Sequence, residues 1–167
     1  MSPTLATPFT IRVMEPTDAD RLERFHSRLS DRTTYLRYFS PHPRLSPAEV
    51  TRFAHVDHHD REAVVADIDG ELIGVARYDR IDGSRAEVAV VVEDAWQGHG
   101  VGPALLRTLA EHAQREGVTE LTAETLAENA RMRTVFARLG WSTTQVDGGV
   151  VDLAKPLAPV SDSPRRS

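Results

Sequence analysis

The stretch Trp96 to Leu106, WQGHGVGPALL, sets glycines at 98, 100 and 102 and then runs directly into a leucine-rich segment. Backbone N–H groups at the start of a helix, with no Cβ in the way, form a positive concavity that suits a phosphate or pyrophosphate. The same residues also suit a tight turn that lets a helix pack closely. Just upstream, in RAEVAVVVED, Glu87 is followed by the apolar run Val88 to Val92. Apolar neighbours raise a carboxyl pKa toward the range of a general base. A glutamate at a strand edge facing water is the ordinary alternative.

Other chemistries fit less well. A P-loop needs Gly-Lys-Ser/Thr after four intervening residues, and the dinucleotide fingerprint needs a third glycine three beyond the second, where this chain has leucine. The segment HVDHHDRE supplies metal-ligand types in His55, His58 and His59 with Asp57 and Asp60, but its spacing matches neither H-E-x-x-H nor a standard zinc motif, and no metal is expected. With no cysteine, the chain has no disulfide framework, thiolate metal site or thiol nucleophile.

These residues need a scaffold, and 167 residues with 40% hydrophobic content suit one compact domain. Phe9, Ile11 and Val13 alternate as a strand. Thr17 or Asp18 caps a helix carrying Leu22, Phe25 and Leu29 on one face. Ser46, Pro47 and Glu49 form the start of a second helix with a capping box; between the two, DRTTYLRYFSPHPR reads as a loop or short helix. Asp69-Gly70 joins Val64 to Ile68 and Glu71 to Ile81 as a hairpin. The segment RAEVAVVVED is apolar enough to be a central strand. Pro103 to Gln114 has helical periodicity ending at Gly117, VTELTAETL alternates as a strand, and NARMRTVFARLGW reads as a helix closed by Gly140. An Asp-Gly turn joins two last short strands. The fold class is α+β, a mostly antiparallel central sheet flanked by helices, spanning residues 1–155, with 156–167 a Pro/Ser-rich tail expected to be disordered. A net charge of -5 argues against nucleic acid as a partner. Without an apolar leader or a run of roughly 20 apolar residues, no membrane association is expected and the location is expected to be cytoplasmic.

Gln97-x-x-Gly100-x-Gly102 resembles the Q/R-x-x-G-x-G/A signature of the GNAT acetyltransferase superfamily, and Asn129, eleven residues before Gly140-Trp141, resembles its second motif. In the amino-terminal half, LSDRTTYLRYFSP and LSPAEVTRFAHVDHHDREAVVA are similar to the catalytic domain of Pat-type bacterial protein lysine acetyltransferases. The resemblance implies acetyl-CoA as co-substrate, held by the loop Gln97, Gly98, His99, Gly100, Val101, Gly102 and Pro103, by the strand Val90, Val91 and Val92, and by Asn129. It implies Glu87 as general base, and a protein lysine, for example on an acyl-CoA synthetase, as acceptor. A small-amine acetyltransferase and a non-catalytic acyl-CoA sensor stand beside it, as do monomer and homodimer. Asp57 and Arg61 match the Pat pattern and equally suit a helix-terminal ion pair. Many Pat-type proteins carry a fused regulatory or synthetase-like domain, for which 167 residues leave no room. Many GNAT enzymes have a tyrosine where this chain has Phe136, which cannot protonate departing CoA. A thiolate of pKa near 8.5 leaves tolerably without that help.

Overall fold

The computed structural model describes residues 8–159. One seven-stranded sheet has the order β1-β2-β3-β4-β5-β7-β6. Its strands are β1 (Thr10–Val13), β2 (Arg61–Ile68), β3 (Glu71–Arg80), β4 (Arg85–Val92), β5 (Glu120–Leu126), β6 (Ser142–Asp147) and β7 (Val150–Pro156). All pairings are antiparallel except β4 with β5. The apolar strand β4 is therefore central, as its composition predicts.

Alternation along β4 divides two cores. Ala86, Val88 and Val92 join Leu105, Leu106 and Leu109 of α4 (Val101–Arg115), and Phe136 of α5 (Ala130–Arg138), on one face. On the other face Val65, Leu72 and Val75 pack with Leu22 and Phe25 of α1 (Ala19–Ser27), Val50 of α3 (Pro47–Ala54) and Tyr38 of α2 (Asp31–Tyr38). Glu87, Ala89 and Val91 belong to this second face.

Local signals act as read in several elements. Ser46 and Glu49 form the reciprocal capping box of α3, with Pro47 in its first turn. Asp69 and Gly70, with φ of 51° and 81°, make the two-residue turn between β2 and β3.

DRTTYLRY takes the helical alternative, eight residues long, because Ser30 Oγ accepts the Thr33 N–H and Asp94, just after β4, accepts from Ser30 and Thr33. Three details differ. Asp18 stands at the head of α1 but does not cap it; its carboxylate accepts from Arg12 and the Glu15 N–H instead. Helix α4 begins at Val101, two residues before Pro103, because Gly100 at φ 86° supplies the left-handed turn into it. In the last hairpin Asp147 pairs with Val150, so Gly148-Gly149 form the turn. The expected tail lies mostly outside the described residues. Within it Pro156 ends β7, and Leu157 is buried with its N–H donating to Thr119 O at 2.8 Å.

Candidate active site

Strands β4 and β5 pair over only three rows, Arg85–Glu120, Ala86–Leu121 and Glu87–Thr122. Beyond Glu87 they part, since β5 continues on β7 and β4 continues on β3. The N–H of Glu93 donates to Ile73 O on the β3 side. By the alternation of an antiparallel ladder, the backbone groups of Val90 and Val92 point away from β3 into the opening. The Val92 carbonyl accepts from Gln97 Nε2 at 3.0 Å. The opening thus exposes unladdered strand backbone in the centre of the sheet, an edge that an extended polyamide can join.

Two cavities meet there. The larger, about 850 Å³, is lined by Val90, Val91, Val92, Gln97, Gly98, Gly100, Gly102, Pro103 and Asn129, with Arg32, Arg131 and Arg138 on its far side. Gly98 and Gly100, at φ 81° and 86°, bracket His99 at the head of α4. The N–H groups of Val101 and Gly102 lie in the first turn of α4, where a helix has no internal acceptors for them. Helix α4 sits this close to the strand because Gly74 of β3 lacks a side chain. A Cβ there would stand 2.9 Å from both Val101 Cγ1 and Leu105 Cδ1. Gln97 bridges Val92 O and Thr33 Oγ1 and so fixes the loop to α2. Asn129 caps α5 through Oδ1 to the Met132 N–H.

Two of the expected residues do not line this cavity. Val101 is buried core, and His99 packs its ring edgewise on Trp96 at 5.8 Å. Val101 can therefore offer an anion only its backbone N–H. The arginines carry no motif of their own. Arg131 and Arg138 are on α5 and Arg32 is on α2, so only tertiary packing brings them to the glycine loop.

The second cavity, about 460 Å³, is lined by residues of α2 and α3 together with the strands. Glu87, Glu124 and Asp79 line it from three adjacent strands. Leu36, Arg37, Val90, Asn129 and Met132 line both cavities, so the two are continuous through the opening between β4 and β5. The Glu87 carboxyl is raised above its ordinary pKa, first by burial in this recess and then by the neighbouring charges of Glu124 and Asp79; Arg37 opposes them. Glu87 nonetheless keeps an exposed side chain, as a group that must reach a reactant requires.

Phe136 lines the same cavity and stacks edge-on against Trp141 at 4.7 Å. Of the three tyrosines, Tyr78 is buried with its hydroxyl donating to His59 O, and Tyr35 is outside both cavities. Tyr38 lines the 460 Å³ cavity. The histidines of HVDHHDRE are engaged separately: His55 Nδ1 with Thr51 O, His58 with Glu62, and His59 with Glu116. Among the described residues no group of three or more His, Cys, Asp or Glu is arranged to hold a metal ion. Asp57 accepts the N–H groups of His59 and Arg61, while the Arg61 guanidinium pairs with Asp79. No helix among the described residues is long and apolar enough to cross a membrane.

The central sheet is parted between two parallel strands, with a glycine-framed helix start lining one cavity and the carboxylate of Glu87 lining the other. The chain belongs to the GNAT acetyltransferase family: the model described as "Acetyltransferase (GNAT) family" matches residues 24–141. It is 32% identical to an acetyltransferase of Pseudomonas aeruginosa over 136 residues, 78% of this chain and 73% of that protein. It is 31% identical to Acetyltransferase Pat of Mycolicibacterium smegmatis over 93% of its own length, but spans only 48% of that relative. Among solved structures, the GNAT domain of S. lividans PAT superposes with a TM-score of 0.86 at 40% identity, covering 89% of this chain and 90% of that one.

Proposed function

We propose that the chain transfers the acetyl group of acetyl-CoA to a protein lysine side chain, with Glu87 as general base. The observation that carries this reading is the continuity of the two cavities at Val90. A thioester lying along β4 from the glycine loop presents its carbonyl at the passage beyond which Glu87 waits. A free lysine is neutral in only about one molecule in 2,500 at pH 7, so the attacking nitrogen must lose a proton. Glu87, with its raised pKa, takes it directly or through one water.

The amine nitrogen then forms the C–N bond to the acetyl carbonyl. A backbone N–H of Val90 or Val92 supports the oxyanion, the nitrogen gives up its second proton to water, the C–S bond breaks, and CoA leaves as thiolate. Phe136 supplies no proton to it, so the thiolate is protonated by water. The diphosphate of the cofactor sits on the N–H groups at the head of α4, with Arg131 near Gly98. Likeness to Pat of M. smegmatis and to the PAT domain of S. lividans supports a lysine acceptor over a small amine.

The test is release of CoA thiol by the purified protein with acetyl-CoA, comparing an acyl-CoA synthetase with a panel of free amines. Release with the protein acceptor supports the reading. Release with small amines alone replaces the acceptor. Stoichiometric acetyl-CoA binding without release under any condition makes the chain an acyl-CoA sensor.

A further inference from the structure

Arg77 projects from β3 onto the same face as Glu87, and it is 7% exposed. Its guanidinium lies 4.4 Å over the Phe53 ring. Its one hydrogen bond among the described residues runs from Nη1 to Phe53 O at 3.3 Å. No carboxylate among the described residues pairs with it. Asp79, next on that face, is taken by Arg61 at 3.1 Å and approached by Arg52 at 3.9 Å. Burial, and after it the charge of Arg37, pull the Arg77 pKa down to about 9, which leaves it a cation at neutral pH. A buried guanidinium with one carbonyl partner and no carboxylate paired to it among the described residues gains from a ligand that completes it.

The side chain lines the 460 Å³ cavity. In the β3–β4 ladder Arg77 faces Ala89 and Asp79 faces Glu87. Arg77 is therefore the diagonal neighbour of Glu87, about 7–8 Å away between backbones. One wall of the cavity offers a carboxylate to an ammonium, and a few atoms along it offers a fork of N–H donors to two coplanar oxygens.

We propose that Arg77 determines acceptor specificity by receiving a carboxylate carried a few atoms from the reactive amine. That carboxylate is either the α-carboxylate of a lysine-like amino acid or an acidic side chain beside the lysine of a peptide. The inference rests on the acceptor cavity of the proposed transferase and names what that cavity selects.

The experiment compares two acceptor pairs that differ only in charge: Nα-acetyl-lysine against its amide, and a blocked Lys-Asp dipeptide amide against Lys-Asn. Wild type favours the carboxylate member of one pair by roughly ten- to hundredfold in kcat/KM, carried by KM, as loss of a charged hydrogen bond dictates. The pair that discriminates identifies the source. Arg77→Met erases the preference while acetyl-CoA affinity by calorimetry stays as in wild type. Arg77→Lys, which keeps the charge without the fork, retains part of it and stands in should the methionine variant not fold.

Equal use of both members of each pair by wild type overturns the proposal, as does a preference that survives in Arg77→Met. Acceptor binding to the CoA-loaded protein, followed by NMR line broadening, is measured in parallel with Glu87→Gln. A carboxylate preference in binding without turnover sinks the transferase reading and keeps Arg77. Turnover without preference does the reverse.

Discussion

Replacing Glu87 with Gln keeps the shape of the side chain and removes only its ability to take a proton. Glu87 lines the 460 Å³ cavity, while the glycine loop lines the 850 Å³ one, so on the proposed reading acetyl-CoA affinity should stay within about twofold of wild type. A positioned general base contributes roughly 10²- to 10⁴-fold, and turnover at pH 7 should fall by that factor. The loss should then shrink with alkali. With an acceptor pKa near 10.4, each pH unit below it supplies about tenfold more neutral amine, so the variant gains roughly a hundredfold between pH 7 and 9.

The acid limb of the wild-type profile carries a second check. Burial, then Glu124 and Asp79, hold the Glu87 pKa above its ordinary value, so base function disappears as pH falls through that raised value. Glu124→Gln removes the second of these causes and should shift the limb to lower pH. The assay is thiol release between pH 5.5 and 9.5 with the best acceptor amine. Wild-type turnover by Glu87→Gln at pH 7 would remove Glu87 from the chemistry and point to Glu124. A loss that alkali does not repair would make Glu87 a structural residue.

Gly100→Val should weaken acetyl-CoA binding by on the order of tenfold or more in calorimetry. No described protein atom stands within 4 Å of a Cβ built there, but the backbone at φ 86° disfavours a branched residue, and the new carbons occupy the face proposed to receive the anion; unchanged affinity in a folded variant would make the loop a structural turn. Gly74→Ala should cost about 1–3 kcal/mol in urea unfolding, because its Cβ meets Val101 and Leu105 at 2.9 Å and α4 must lift from β3. Burial alone would raise the Asp18 carboxyl, yet hydrogen bonds from Arg12 and the Glu15 N–H hold it below its ordinary value. Its stabilisation is therefore present at neutral pH and lost as pH falls through that lowered value. Asp18→Asn should cost about 1–3 kcal/mol at pH 7 and much less near pH 2, read from urea midpoints at the two pH values.

Much of the scaffold was legible because its signals are local. A capping box at Ser46 and Glu49 is written within four residues, and Asp69-Gly70 tolerates the positive φ that a two-residue hairpin demands. The glycines at 98, 100 and 102 likewise announce a backbone that must bend and stay bare. DRTTYLRY was less legible as a full helix because its apolar residues form no stripe. It is held through Asp94, 64 residues after Ser30 and 61 after Thr33, and no short window along the chain contains that partner.

The sequence by itself determined the strand and helix order, the central apolar strand, the glycine turn and the candidate residues of the site. Each of these depends on backbone preference and on hydrophobic period over a few turns. Only the tertiary structure decided that β4 and β5 part after Glu87, that Arg32, Arg131 and Arg138 gather at one mouth, and that Asp79, Glu87 and Glu124 share a recess with Arg77, with which no carboxylate among the described residues pairs. Those arrangements come from strands that are neighbours in the sheet but far apart in the chain. The charge each residue meets there is set by burial and by its neighbours across the ladder.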